Sequence, residues 1–250
     1  MSNPPSLLVT GASSGIGRSL AHRFAGDYHV LALARRIDRM EAEYADEPWV
    51  TPHELDLASP SAIESTVDAL LSEHGPIPYV INNAGINRGG EMATVSPAAL
   101  RESMQVNAVA PVQILQGLLP AMRADGFGRV INVTSGAPLN CPAGAGAYSA
   151  SKAALNTYTR TAARENDGRN VKVNLLSPGP CRTEMAPDAP LDPSACHSTA
   201  AYLLGLDADG PTGAFFWLEH RVPLRPDLSG TDWEGADPGP NLEPIDVDAQ

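Results

Sequence analysis

Tyr148 and Lys152 stand four residues apart in the alanine-rich stretch Ala147 to Arg164, so on a helix they share one face with roughly 6 Å of rise between them. A phenol with an ordinary pKa of about 10 is a poor acid–base group at neutral pH. A neighbouring ammonium, or a cationic ring, stabilises the phenolate and lowers that value, so the pair could shuttle a proton. Ser135 lies 13 residues before Tyr148, just past the apolar run Val130 to Thr134. A hydroxyl there could hold a substrate oxygen against the phenol.

A second group reads Thr10-Gly11-Ala12-Ser13-Ser14-Gly15-Ile16-Gly17, placed where an apolar run turns into a helix-period segment. The free N–H groups and positive dipole end of a helix start attract a phosphate, and glycines let a pyrophosphate approach the backbone. A nucleotide triphosphate loop of the GxxxxGK[ST] type is excluded, because the only lysines are Lys152 and Lys172 and neither follows a glycine. The letters Gly11 to Gly15 also fit the GxSxG elbow of serine hydrolases, with Ser13 as nucleophile and His197 or His220 as base. Against that reading, no earlier strand supplies an oxyanion loop. The second apolar run ends in Ala34-Arg35-Arg36. A cation there accommodates the 2′-phosphate of NADP, where a carboxylate would bond the ribose of NAD. Arg35 is the candidate phosphate ligand, and Arg36 adds charge or stacks on adenine.

These groups need elements to hold them. Short apolar runs (Leu7 to Thr10, Val30 to Ala34, Val50 to Leu55, Tyr79 to Asn82, Arg129 to Thr134, Val171 to Leu176) alternate with segments of helical period. The latter are Ile16 to Phe24, Ile37 to Tyr44, Ile63 to Leu71, one long helix from Pro97 to Met122, and Ala147 to Arg164. Such alternation predicts a single-domain α/β fold, a Rossmann-type doubly wound parallel sheet with helices on both faces, over residues 1–225. Residues 226–250 carry seven acidic and no basic side chains among prolines and glycines, and read as an acidic, irregular tail.

With these motifs in place, the chain from Leu7 to about Thr183 resembles the short-chain dehydrogenase/reductase family. The family's TGxxxGxG loop stands at Thr10 to Gly17 and its acidic residue after the third strand at Asp56. NNAG stands at Asn82 to Gly85, the helix asparagine at Asn107, YxxxK at Tyr148 to Lys152, and PGxxxT at Pro178 to Thr183. The resemblance implies Tyr148 as general acid–base and Lys152 as the group that binds the nicotinamide ribose and lowers the phenol's pKa. It implies Ser135 orienting the substrate carbonyl and Asn107 holding a relay water. Around the cofactor it implies Gly11, Ser13, Ser14, Gly15, Ile16 and Gly17 of the loop, then Asp56 and Leu57 at the adenine. Asn83, Ala84 and Gly85 would lie by the ribose, and Pro178, Gly179, Cys181 and Thr183 near the nicotinamide. The expected activity is hydride transfer between NADP(H), favoured over NAD(H), and a carbonyl or secondary alcohol, with reduction of a ketone or aldehyde preferred. An NAD-dependent alcohol dehydrogenase, a silent NADP-binding protein and the serine hydrolase remain alternatives.

The chain has 250 residues with 17 basic and 29 acidic side chains, a formal charge of −12. Nucleic acid and anionic membrane are therefore poor partners. No apolar run approaches the roughly 20 residues that span a bilayer, and Met1 to Pro5 lacks a secretion signal's pattern, so a cytoplasmic location is expected. The histidines at 22, 29, 53, 74, 197 and 220 show no metal-ligand spacing, and Cys141, Cys181 and Cys196 read as buried reduced thiols. Family likeness implies a homodimer or homotetramer. The segment Met185 to Pro193, where a substrate lid is expected, is short and proline-rich, which suggests an open pocket or a bulky substrate. The last apolar run, Gly213 to Leu218, is expected in the interior.

Overall fold

The computed structural model describes residues 4–224, so the opening Met1-Ser2-Asn3 and the expected acidic tail lie outside the described residues. In chain order the strands are β1 (Ser6–Thr10), β2 (His29–Ala34), β3 (Val50–Glu54), β4 (Tyr79–Asn82), β5 (Gly128–Val133), β6 (Val171–Ser177), β7 (Phe215–Trp217) and β8 (His220–Val222). The helices are α1 (Gly15–Phe24), α2 (Ile37–Glu43), α3 (Pro60–His74), α4 (Pro97–Met104), α5 (Ala110–Asp125), α6 (Ala137–Asn140), α7 (Gly146–Glu165) and α8 (His197–Leu204). One sheet runs β3-β2-β1-β4-β5-β6-β7-β8. Neighbours pair in parallel up to β7, and β8 pairs antiparallel. Strand order reverses between β1 and β4, which leaves a crevice at their carboxyl ends.

The two-residue period of each strand sorts its side chains between two cores. Leu7 and Val9 of β1 pack with Leu20 and Phe24 of α1 and with Leu203 of α8. Leu8 between them joins Leu31 and Leu33 of β2 under Val67 of α3 and Ile114 of α5. Burial on both faces explains why β1 and β2 carry continuous apolar runs.

The helix expected from Pro97 to Met122 is interrupted. Gln105–Val109 forms a π-helical turn between α4 and α5, with the amide of Ala110 bonded five residues back to the carbonyl of Gln105. Pro111 supplies the reason: an α-helix would pair its N–H with the carbonyl of Asn107, and proline has none. Helices α6 and α8 and strand β8 fall outside the expected elements. Phe215 and Phe216 are interior, whereas Trp217 is 45% exposed beside a turn in which Leu218 (φ 42°) and Glu219 (φ 67°) are left-handed. The expectation of three buried thiols is corrected for Cys141, which is exposed after α6; Cys181 and Cys196 are buried.

Hydropathy does not reveal Arg129, whose side chain is 1% exposed in the middle of the sheet. Its guanidinium donates to the carbonyls of Leu206 (2.8 and 2.5 Å), Gly128 (2.8 Å) and Asn170 (2.9 Å) and to Oδ1 of Asn170 (2.7 Å), and it lies 4.3 Å from the Phe127 ring centroid. It ties the entry of β5 to the loops before β6 and after α8. Arg129→Ala should lower unfolding free energy by about 3–5 kcal/mol, because it leaves buried carbonyls unpaired and a cavity beside them. Urea denaturation followed by circular dichroism measures this.

Candidate active site

The crevice forms a cavity of about 410 Å³ that runs from the ends of β2 and β3, over the start of α1, to Tyr148 and Lys152. At its centre the glycine loop is clamped to the turn after β4 by Thr10. The Thr10 hydroxyl accepts the N–H groups of Asn83 and Ala84 (both 3.0 Å), and Nδ2 of Asn83 donates to the Thr10 carbonyl (3.0 Å). Gly11 is left-handed at φ +72°, and a Cβ on Gly17 would lie 2.4 Å from both Asn83 Nδ2 and the Gly11 carbonyl. No side chain caps α1, so the positive end of its dipole opens on the cavity beside Ser13, Ser14, Gly15 and Ile16. Tyr44 donates from its hydroxyl to the Ala12 carbonyl (2.6 Å), and burial pushes its pKa up. The uncapped start of α1, with Gly11 and Gly15 lining the cavity beside it, fits a bound pyrophosphate.

At the β2 end, Arg35 and Arg36 are both exposed on the cavity wall. Arg36 rather than Arg35 lies on the loop: its Nε donates to Ser13 Oγ (3.1 Å) and Nη2 to Ser14 Oγ (2.7 Å). Its Nη1 donates to Glu184 (3.0 Å), which also takes Arg39 Nη1 (2.6 Å). Hydrogen bonds from Arg39, then Arg36, hold the Glu184 carboxyl below the usual carboxylate range. Asp56 and Leu57 line the same end. Asp56 accepts the N–H of Ala58 (3.0 Å), while Ser59 caps α3 through the N–H of Ala62.

At the other end, the first turns of α7 bring Tyr148 and Lys152 together. Lys152 is 2% exposed, its Nζ donates to the Val133 carbonyl (2.7 Å), and it sits 6.0 Å from the Tyr148 ring centroid. Burial lowers its pKa to about 8. Burial raises that of Tyr148, and a hydrogen bond with Ser135 opposes the rise. The Ser135 hydroxyl also accepts the N–H of Ala137 (3.1 Å). Asn107 is fully buried, and its amide is committed: Oδ1 accepts the N–H of Ile86 (2.8 Å), and Nδ2 donates to the Ile86 carbonyl (2.8 Å) and Ser151 Oγ (2.9 Å).

Among the sequence candidates, Ser13, Ser14, Arg35, Arg36, Asp56, Leu57, Asn83, Ala84, Gly85, Tyr148, Lys152, Pro178 and Thr183 share the cavity wall with Gly11, Gly15 and Ile16. Gly17, Asn107, Ser135, Gly179 and Cys181 are not among its lining residues, although Ser135 hydrogen-bonds to Tyr148, which is. Cys181 is buried with its thiol on the Pro178 carbonyl (3.2 Å), and Gly179 (φ +80°) turns the chain under Leu191. Ser13 meets no histidine: His197 pairs with Ser19 (2.8 Å) and His220 with the Leu218 carbonyl (2.6 Å). Among the described residues no group of three His, Cys, Asp or Glu is placed to hold a metal ion, and no helix is long and apolar enough to cross a membrane. Sequence reading assigned no role to Thr10, Tyr44 or Glu184. Thr10 lies inside a motif that pointed to it, whereas Glu184 meets partners more than 140 residues away, which no local pattern encodes.

The short chain dehydrogenase family model matches residues 6–193, and the chain belongs to the short-chain dehydrogenase/reductase family. The uncharacterized oxidoreductase YbbO of Escherichia coli K12 is 34% identical over 180 residues, 71% of this chain and 66% of that protein. A dehydrogenase/reductase SDR family protein 7-like of Anopheles gambiae is 36% identical over 197 residues, 73% of this chain and 61% of that protein. The chain thus matches less than two thirds of the length of these relatives. A metagenomic short-chain oxidoreductase in complex with NADP superposes with a TM-score of 0.77 at 29% identity, over 86% of this chain and 96% of that one.

Asn107→Ala would leave the Ile86 N–H and carbonyl unpaired in the interior. It should cost about 2–4 kcal/mol of stability before any effect on turnover, read as a shifted denaturation midpoint with an unchanged slope.

Proposed function

We propose that this protein is an NADP(H)-dependent oxidoreductase that interconverts a carbonyl and a secondary or primary alcohol, working mainly as a ketone or aldehyde reductase. The observation that carries the reading is one continuous cavity with a cationic, hydroxyl-lined end at Arg36 and Ser13 and a proton-transfer end at Tyr148 and Lys152. Arg35, Arg36 and Ser13 would hold the 2′-phosphate, Asp56 and Leu57 the adenine, and Asn83 to Gly85 the ribose. Pro178 and Thr183 would flank the nicotinamide. Two arginines after β2, where an NAD enzyme carries a carboxylate, favour NADP(H) over NAD(H). The NADP complex of the metagenomic relative supports the same preference. The expected homodimer or homotetramer and cytoplasmic location belong to this reading.

When bound, the dinucleotide supplies or accepts a hydride at the carbon that bears oxygen. Ser135 donates a hydrogen bond to that oxygen, and Tyr148 delivers the proton to it as the carbonyl becomes an alcohol. Burial raises the Tyr148 pKa, so its neutral form, the form reduction needs, dominates at pH 7. The Lys152 ammonium, one helical turn away, stabilises the phenolate left behind. A water on the Asn107 carbonyl would return the proton from solvent.

Tyr148→Phe should lower kcat by about 10²–10⁴-fold and leave the NADPH dissociation constant nearly unchanged, which steady-state kinetics and quenching of tryptophan fluorescence will read separately. Undiminished turnover would remove the phenol from the mechanism. Alcohol oxidation, which needs the phenolate, should speed up as pH rises toward the raised Tyr148 pKa, above the ordinary phenol value of about 10, while carbonyl reduction slows over that same alkaline range. Parallel profiles in both directions check that sign.

A further inference from the structure

We propose that Glu184 is a specificity-determining residue: its carboxylate competes with the 2′-phosphate of the dinucleotide for Arg36 and thereby weakens NADP(H) relative to NAD(H). This rests on the cofactor reading above. Arg36 spends its Nε and Nη2 on Ser13 and Ser14, which fixes the guanidinium against the glycine loop. The remaining nitrogen, Nη1, is taken by Glu184 at 3.0 Å. A phosphate on the ribose hydroxyl must therefore meet a cation that already carries an anion. Glu184 is also held by Arg39 at 2.6 Å, so the carboxylate has a second anchor that keeps it at this end of the cavity.

The competitor sits immediately before the segment Met185 to Pro193, which is expected to cover the substrate. Glu184 directly follows Thr183, whose side chain packs against Gly15 so closely that a Cβ there would lie 2.9 Å from Thr183 Cγ2. The turn is closed by reciprocal backbone bonds between Thr183 and Ala186 (3.2 and 3.1 Å), so Glu184 is presented by a folded turn. Both ion pairs are half exposed, which makes them weak enough to be displaced. A 2′-phosphate with nearly two negative charges can displace the carboxylate from Arg36 but then lies beside it, at a cost that an unphosphorylated ribose does not meet.

The test uses two adenine nucleotides that differ at the 2′ position, adenosine 2′,5′-bisphosphate and 5′-AMP, bound to the full-length protein and followed by calorimetry. In Glu184→Gln and Glu184→Ala the bisphosphate should bind about three- to tenfold tighter than in the wild type, while 5′-AMP changes by less than about twofold. Raising salt to about 0.5 M should shrink the difference between wild type and variants. Weaker bisphosphate binding in both variants, or an equal change for both nucleotides, would overturn the competition and make Glu184 a plain support for Arg36. A wild type that binds 5′-AMP as well as the bisphosphate would instead sink the NADP(H) reading itself, before any substitution is made.

Discussion

The Lys152 ammonium is wholly enclosed, and its position constrains nearly everything around it. A cation taken out of water needs a partner of opposite polarity, and the Val133 carbonyl at the end of β5 supplies it. That bond ties α7 to the end of β5 one helical turn from Tyr148. Gly85 packs against this group, since a Cβ there would come within 3.5 Å of the Lys152 nitrogen and, more tightly, 3.3 Å of Asn107 Oδ1. Asn107 fills the space behind and ties the loop after β4 to Ser151 of the same helix. One buried charge thus fixes the relation of a strand, a loop, a π-turn and a helix.

The opposite end of the cavity follows a different logic. No buried charge organises it; the glycine loop is fixed by a single threonine hydroxyl that accepts two amides, and by a tyrosine that reaches across from the end of α2. Arginines lie over this neutral frame at the surface, where salt screens them and neighbours can exchange. The acid–base end is accordingly rigid and internally paired. The phosphate end is built so that an anion can enter and change the partners of Arg36.

A sheet buried on both faces demands continuous apolar runs, and a strand-to-helix phosphate loop demands glycines; both are local demands, so both are written in consecutive letters. That is why the order of β1 to β6, the helices between them and the group at Tyr148 and Lys152 were legible before any coordinates. The break at Gln105–Val109 was legible only in part. Pro111 marked it, but apolar periodicity continues through a π-turn and masks the extra residue. The short pair β7 and β8, with left-handed Leu218 and Glu219 in the turn, carries no glycine or asparagine to announce it.

What the sequence by itself determined was therefore the doubly wound fold, the family, and the residue types at the two ends of the cavity, because each depends on neighbours a few positions apart. Only the tertiary structure decided that Arg36 rather than Arg35 lies on the loop, that the Asn107 side chain is occupied by Ile86 and Ser151, and that Glu184 faces two arginines. Arg129 belongs with these, a charge satisfied by carbonyls from three separate loops and strands. Such pairings are set by how distant segments meet in space, and a chain read in order holds no record of those distances.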